Sequence, residues 1–269
     1  MRASRPAGAL LLAALLAGSA GCFGSGSKTP GGDPVRMSRS EYDIAADLWL
    51  RRGQPREALE HALEAVRLDE DNYEAAHLVA LIYLDFCRQT PHDCRLEEAE
   101  RHARRAVEAK PDFREAKNTL GVVLIHRKRY QEAIQVLKPL SSDILYQTPE
   151  NAWGNLGLAY LQTGQLSRAI DALRRSVAAQ PLFCVGNYRL GLAYERNRQP
   201  RQAEKAFTRA LETDNPRCQR LQAALGARGR VRLKLGQEEA AREDLERCAR
   251  MTRATSAGKE CSSMLQKLK

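Results

Sequence analysis

Seven cysteines and five histidines are the side chains of this 269-residue chain with the widest range of chemistry. Thiolates attack electrophiles, bind soft metals or pair as disulfides, and imidazoles carry protons near neutral pH. Their spacing excludes most of those uses. His61, His77, His92, His102 and His126 are scattered, and the sequence contains no His-Glu-x-x-His pair, no Gly-x-Ser-x-Gly elbow and no phosphate-cradling glycine loop. Cys87, His92 and Cys94 could offer three metal ligands. A Cys-x4-His-x-Cys run lacks a fourth ligand nearby, however, and does not match the paired Cys-x2-Cys spacing of structural zinc sites. The Asp69-Glu70-Asp71 run lacks the spacing of a calcium loop and reads as a solvated turn. With no positioned acid, base or nucleophile, the expectation is a protein that is not an enzyme, with no metal, cofactor or small-molecule substrate.

Cys22 stands apart from the other six. Arg2 and Arg5 precede an apolar stretch, Ala9 to Ala17, which ends in Gly18-Ser19-Ala20-Gly21. A charged start, a short apolar core and a small-residue cleavage zone make residues 1–21 a secretory signal peptide, too short for a permanent membrane span. Ser19-Ala20-Gly21-Cys22 resembles the bacterial lipobox, although Ser19 replaces the usual Leu. The resemblance implies that Cys22 is lipidated and becomes the first residue, and that Phe23, which is not Asp, favours the outer membrane. Residues 22–38 then form a tether rich in Gly, Ser, Pro and Lys, a composition that cannot bury a core.

The elements that carry the remaining cysteines are helices. Ala, Leu, Arg and Glu dominate, and aromatic residues make up 6% of the chain. A unit of about 34 residues recurs from Arg39 onward. Its most complete copy contains Trp153, Leu156-Gly157, Tyr160, Gly164, Ala169, Leu173, Ser176 and Pro181. Small residues at 157 and 169 let two antiparallel helices approach closely, Leu and Tyr fill the space between them, and Pro181 ends the second. These spacings resemble the tetratricopeptide repeat. The resemblance implies an all-α, right-handed superhelical solenoid of six helix pairs, at about 39–72, 73–113, 114–149, 150–183, 184–221 and 222–255, closed by a capping helix at 256–269. The second copy fits only with seven extra residues between its helices.

Six cysteines can pair in fifteen ways, and an exported chain meets an oxidising space. In the repeat frame, Cys87 and Cys94 bracket the insertion of the second repeat, so a bridge closes that loop at its base. A Cys248–Cys261 bridge holds the capping helix down. Cys184 and Cys218 lie one repeat apart, at the starts of neighbouring first helices. Stacked helix axes are about 8 to 10 Å apart and a disulfide needs Cα atoms within about 7 Å, so that pairing stays open.

Function is then a matter of surface. The first helix of each pair lines a concavity, and its inward positions in repeats 2 to 5 are Leu81, Leu84, Val122, Ile125, Leu158, Leu161, Val185, Tyr188 and Leu192. A row of aliphatic side chains suits an apolar or amphipathic peptide segment. Repeats that clamp a terminal carboxylate place Lys and Asn inward, whereas Asn118 stands here among hydrophobes, so that partner class is not expected. The formal charge of +10, about +8 without the leader, raises nucleic acid as a partner. Export sets the chain away from the genome, and no nucleic acid is expected.

Lipobox, tether, repeats and apolar groove together resemble the PilF/PilW/Tgl group of type IV pilus lipoproteins, often called pilotins. The cysteine-bracketed insertion and the cysteine-rich carboxyl end look most like the Tgl branch. The resemblance implies a protein anchored to the outer membrane by lipid, facing the periplasm, that binds secretin subunits and promotes their assembly into the ring through which the pilus passes. A general periplasmic tetratricopeptide scaffold, serving cell-wall synthesis or outer-membrane protein insertion, is the alternative.

Overall fold

The computed structural model describes residues 32–213 and 215–268. The expected signal peptide, Cys22 and most of the expected tether lie outside the described residues. Every regular element among the described residues is helical. Six pairs follow one another: α1 (Pro34–Asp47) with α2 (Pro55–Leu68), α3 (Tyr73–Gln89) with α4 (Leu96–Ala109), α5 (Arg114–His126) with α6 (Tyr130–Ser141), α7 (Pro149–Gln162) with α8 (Leu166–Ala179), α9 (Cys184–Arg196) with α10 (Pro200–Leu211), and, after the short α11 (Pro216–Gln219), α12 (Gln222–Lys234) with α13 (Glu238–Met251). A last helix, α14 (Ser256–Lys267), covers the end of the array by packing on α12 and α13.

Two boundaries differ from the sequence expectation. Composition places the end of the tether at residue 38, but α1 begins at Pro34, where Asp33 accepts a hydrogen bond from the Val35 N–H and proline occupies the first turn. A proline at that position loses no helical bond, so the Pro that looks like tether composition is a helix start. Ser38, already inside α1, is fully buried and donates to the Ala65 carbonyl at 2.7 Å, fastening α1 to α2. The second difference is α11, which interrupts the connection from the fifth pair to the sixth.

The third to sixth pairs close through the same device, a glycine of the first helix against a large side chain of the second. Gly157 on α7 lies so near α8 that a Cβ there would sit 2.5 Å from Leu173 Cγ, and Gly121 stands in the same way against Leu137, with the same 2.5 Å to its Cγ. Leu137 and Leu173 are fully buried, and the apolar contacts made possible by the missing Cβ run from one repeat into the next as a continuous core.

The pairs stack with a curvature set by which helices touch. Each first helix packs on the next, α1 on α3, α3 on α5, α5 on α7, α7 on α9 and α9 on α12, while successive second helices do not approach to the same extent. The first helices therefore line the inner, concave side. Between second helices the outer side opens into clefts, among them a cavity of about 540 Å³ between α8 and α10, floored by Leu190 and Tyr194.

Candidate functional site

The inner face is built from one side of α3, α5, α7 and α9. On α7, Gly154 and Leu158 are one turn apart and share a face. Leu81, Leu84, Val122, Leu158 and Val185 are each partly exposed, as residues of an open apolar surface must be. Ile125, Tyr188 and Leu192 are partly exposed too, but they also pack against the core, Tyr188 with its ring 6.0 Å from that of Phe207. Leu161 is different. It is 1% exposed and belongs to the core cluster, while Arg196 of the next repeat crosses above it to donate to its carbonyl at 3.0 Å. The expectation that Leu161 faces a partner is corrected on that geometry, because its side chain is spent on packing.

Asn118 is not isolated, contrary to the sequence reading. It accepts from Asn155 Nδ2 at 3.0 Å, and Asn155 Oδ1 accepts from Arg189 Nη1 at 2.9 Å. Three consecutive first helices are thus joined by one polar ladder beside the aliphatic row. A sequence signal existed, since residues 118, 155 and 189 fall about one repeat apart, but nothing in residue type alone says that they touch. One repeat earlier, His77 Nε2 and Thr119 Oγ1 are 2.9 Å apart, and burial lowers the His77 imidazole to about 4. His77 is therefore neutral at pH 7.

The carboxyl-terminal end of the face is held by ion pairs. Glu195 takes Arg230 at 2.9 Å and Lys234 at 2.7 Å, and Arg230 also reaches Glu260 on α14. Burial acts to raise the Glu195 carboxyl, and its bonds to Arg230 and Lys234 outweigh that and hold it below its ordinary value. Behind the face, Arg228 and Asp244 form a buried bidentate pair at 2.8 and 2.7 Å.

Three disulfides brace the array. Cys87 and Cys94, with Cα atoms 4.2 Å apart, close the base of the insertion, and their sulfurs are bonded to one another rather than free as ligands. The inserted turn is also tied down by Arg56 of α2, which donates to Asp93 at 2.6 Å. Cys248 and Cys261, 6.2 Å apart at Cα, join α13 to α14. Cys184 and Cys218 are 5.7 Å apart and bonded. The expected placement of Cys218 at the start of a first helix is corrected: it lies on α11, and that extra turn carries it closer to α9 than two stacked axes would allow. Of the two second-helix histidines, His61 is partly exposed with Nδ1 2.6 Å from Glu41, whereas His102 is 4% exposed and its Nδ1 has no partner. Among the described residues no group of three or more His, Cys, Asp or Glu side chains is arranged to hold a metal ion, and no helix is long and apolar enough to cross a membrane.

Models of the tetratricopeptide repeat match residues 95–138, 150–181 and 188–256. The type IV pilus assembly protein PilF of Pseudomonas aeruginosa is 29% identical over 176 residues, which cover 63% of this chain and 65% of that relative, a little under two thirds of its length. Among solved structures, Pseudomonas aeruginosa PilF superposes with a TM-score of 0.66 at 18% identity, covering 86% of this chain and 99% of that one. PilW, described as a widely conserved type IV pilus biogenesis factor, superposes at 0.69 with 24% identity, covering 87% and 98%. At those identities the two superpositions speak to the fold. The chain belongs to the tetratricopeptide repeat proteins and is related to the type IV pilus assembly protein PilF.

Proposed function

We propose that this protein is an outer-membrane lipoprotein, anchored through Cys22 and facing the periplasm, that binds secretin subunits of a type IV pilus machine and promotes their assembly into a ring. The observation that carries the reading is the partly exposed aliphatic row of Leu81, Leu84, Val122, Leu158 and Val185 on the inner face of an array related to a pilus assembly protein. Covering such a row with a partner's apolar segment is favourable by about 25 cal/mol per Å² of apolar surface removed from water. The lipid confines the groove to the membrane where the ring forms, and confinement raises the local concentration of bound subunits. No chemical step is involved. The protein shields apolar segments of subunits until neighbouring subunits cover them.

The test is site-specific cross-linking in the host, with a photoreactive residue at position 158 or 122. A cross-link to secretin monomer supports the reading. Cross-links to cell-wall synthases or to the outer-membrane insertion machinery, with none to secretin, overturn it in favour of a general periplasmic scaffold. Cys22→Ala is expected to shift the protein out of the membrane fraction and to lower ring yield. Full ring yield from that variant removes the lipid from the account.

A further inference from the structure

On the inner face, Arg189 is a cation without a carboxylate partner among the described residues. Arg189 donates to Asn155, which is 8% exposed, and through it is connected to Asn118, so neutral amide groups fix its direction. Among the described residues no carboxylate lies within ion-pair distance of it. Several other partly buried arginines of the array are matched, Arg228 by Asp244, Arg230 by Glu195, and Arg127 and Arg129 by Glu100 at 2.5 Å each, whereas Arg242, away from this face, donates to the Leu268 carbonyl. An amide oxygen compensates a guanidinium less well than a carboxylate does, and a charge set in a partly desolvated site without one costs stability. In accord with that cost, burial lowers Arg189 to about 10, and it remains charged at pH 7.

The direction of the guanidinium is given by its surroundings. A Cβ on Gly154 would lie 3.6 Å from Arg189 Nη1, so the group reaches from α9 to α7 beside Gly154, one helical turn from Leu158. The Arg189 charge also helps lower the His126 imidazole on α5, after the larger effect of burial, which places it within electrostatic reach of a third first helix. Apolar residues surround it, Val122 and Leu158 on the two preceding first helices and Val185 and Leu192 about one turn to either side of it on α9.

We propose that Arg189 receives the side-chain carboxylate of an aspartate or glutamate carried inside the apolar segment that occupies the concave face. The proposal rests on the reading that this face holds a protein segment. It assigns that segment a chemistry the apolar row alone does not: an acid within a run of hydrophobic residues, paired in a site where charge-assisted hydrogen bonds are strong. The acid is internal, because partly exposed apolar residues lie to either side of Arg189 on α9 as well as on α7, and a segment that covers them extends past the guanidinium.

Random dodecapeptides displayed as amino-terminal fusions, none with a free carboxyl terminus, test this by panning on the full chain purified in detergent. The wild type is expected to enrich peptides with one Asp or Glu among apolar residues. Changing that acid to its amide weakens binding about tenfold or more, Arg189→Gln weakens the acidic peptide equally, and Arg189→Lys restores part of the loss. The amide peptide binds Arg189→Gln as it binds wild type, which shows an intact groove in the variant. Enriched peptides without an acid, amide versions that bind as well as acids, or binding confined to free terminal carboxylates would each overturn the proposal, and absence of any enrichment counts against the groove itself. Synthetic peptides tiling the secretin form a separate arm. If random acidic peptides depend on Arg189 and no secretin peptide binds, Arg189 keeps its role and secretin is not the partner.

Discussion

Gly157 and Leu173 meet where α7 crosses α8, with 2.5 Å between Leu173 Cγ and the place a Cβ on residue 157 would take. No ordinary Cβ contact is so short, so a side chain at 157 must push the two helices apart. Gly157→Ala is expected to cost about 1 to 3 kcal/mol by overpacking, read from urea unfolding at pH 7. Gly164→Ala is the control, because Gly164 has φ +74° and open space around it, so its cost of about 1 kcal/mol is conformational. Equal or greater loss at 164 contradicts the packing account.

The disulfides differ in the lengths of chain they close, with separations of 7, 34 and 13 residues. If they act by restricting the unfolded chain, removing Cys184–Cys218 as a double Ala variant costs roughly 4 kcal/mol and removing Cys87–Cys94 roughly 2 kcal/mol. Unfolding midpoints of the two variants under oxidising conditions check the order. The reverse order assigns the larger effect to local anchoring of the insertion.

How much of this was legible in the sequence can be judged from particular residues. The 157 and 173 positions, the helix pairs and two of the three cysteine pairs followed from periodicity, because a repeat forces equivalent residues into equivalent contacts. The third pair was legible only as a candidate, since the α11 turn that brings Cys218 within bonding distance breaks the period. Leu161 and Leu158 are both apolar residues of α7 on neighbouring turns, and residue type alone assigns them one role. Packing from the next repeat separates them. The Asn118–Asn155–Arg189 ladder was missed for a related reason: its members are polar residues of ordinary type, and their significance is that they touch.

That difference between Leu158 and Leu161 is itself testable. Leu158→Glu is expected to leave circular dichroism and the melting temperature nearly unchanged while abolishing partner capture. Leu161→Glu buries a charge in the core and is expected to unfold or strongly destabilise the array. Loss of helicity in Leu158→Glu contradicts its assignment to the open face.

His102 predicts a pH dependence. Burial, with help from the Arg101 and Arg105 charges, lowers its imidazole to about 4 from an ordinary 6.5. The folded state therefore stays neutral while the unfolded state takes up a proton, and the stability this group contributes above pH 6.5 is lost as pH falls from 6.5 to 4. His102→Leu is expected to be less sensitive over that window, by about 2 kcal/mol at its acid end. Urea unfolding of both proteins at pH 7 and pH 4.5 reads the difference, and parallel losses contradict the assignment.

The central claim is that the concave face acts in ring assembly, and the most direct measurement is the amount of heat- and detergent-resistant secretin multimer in outer membranes of the host. Wild type, a deletion and Leu158→Glu are compared, with monomer scored in the same lanes. The account predicts that multimer falls to the deletion level in Leu158→Glu while secretin monomer and the variant protein persist. Unchanged multimer in the deletion would contradict it and leave the array as a scaffold for some other periplasmic partner.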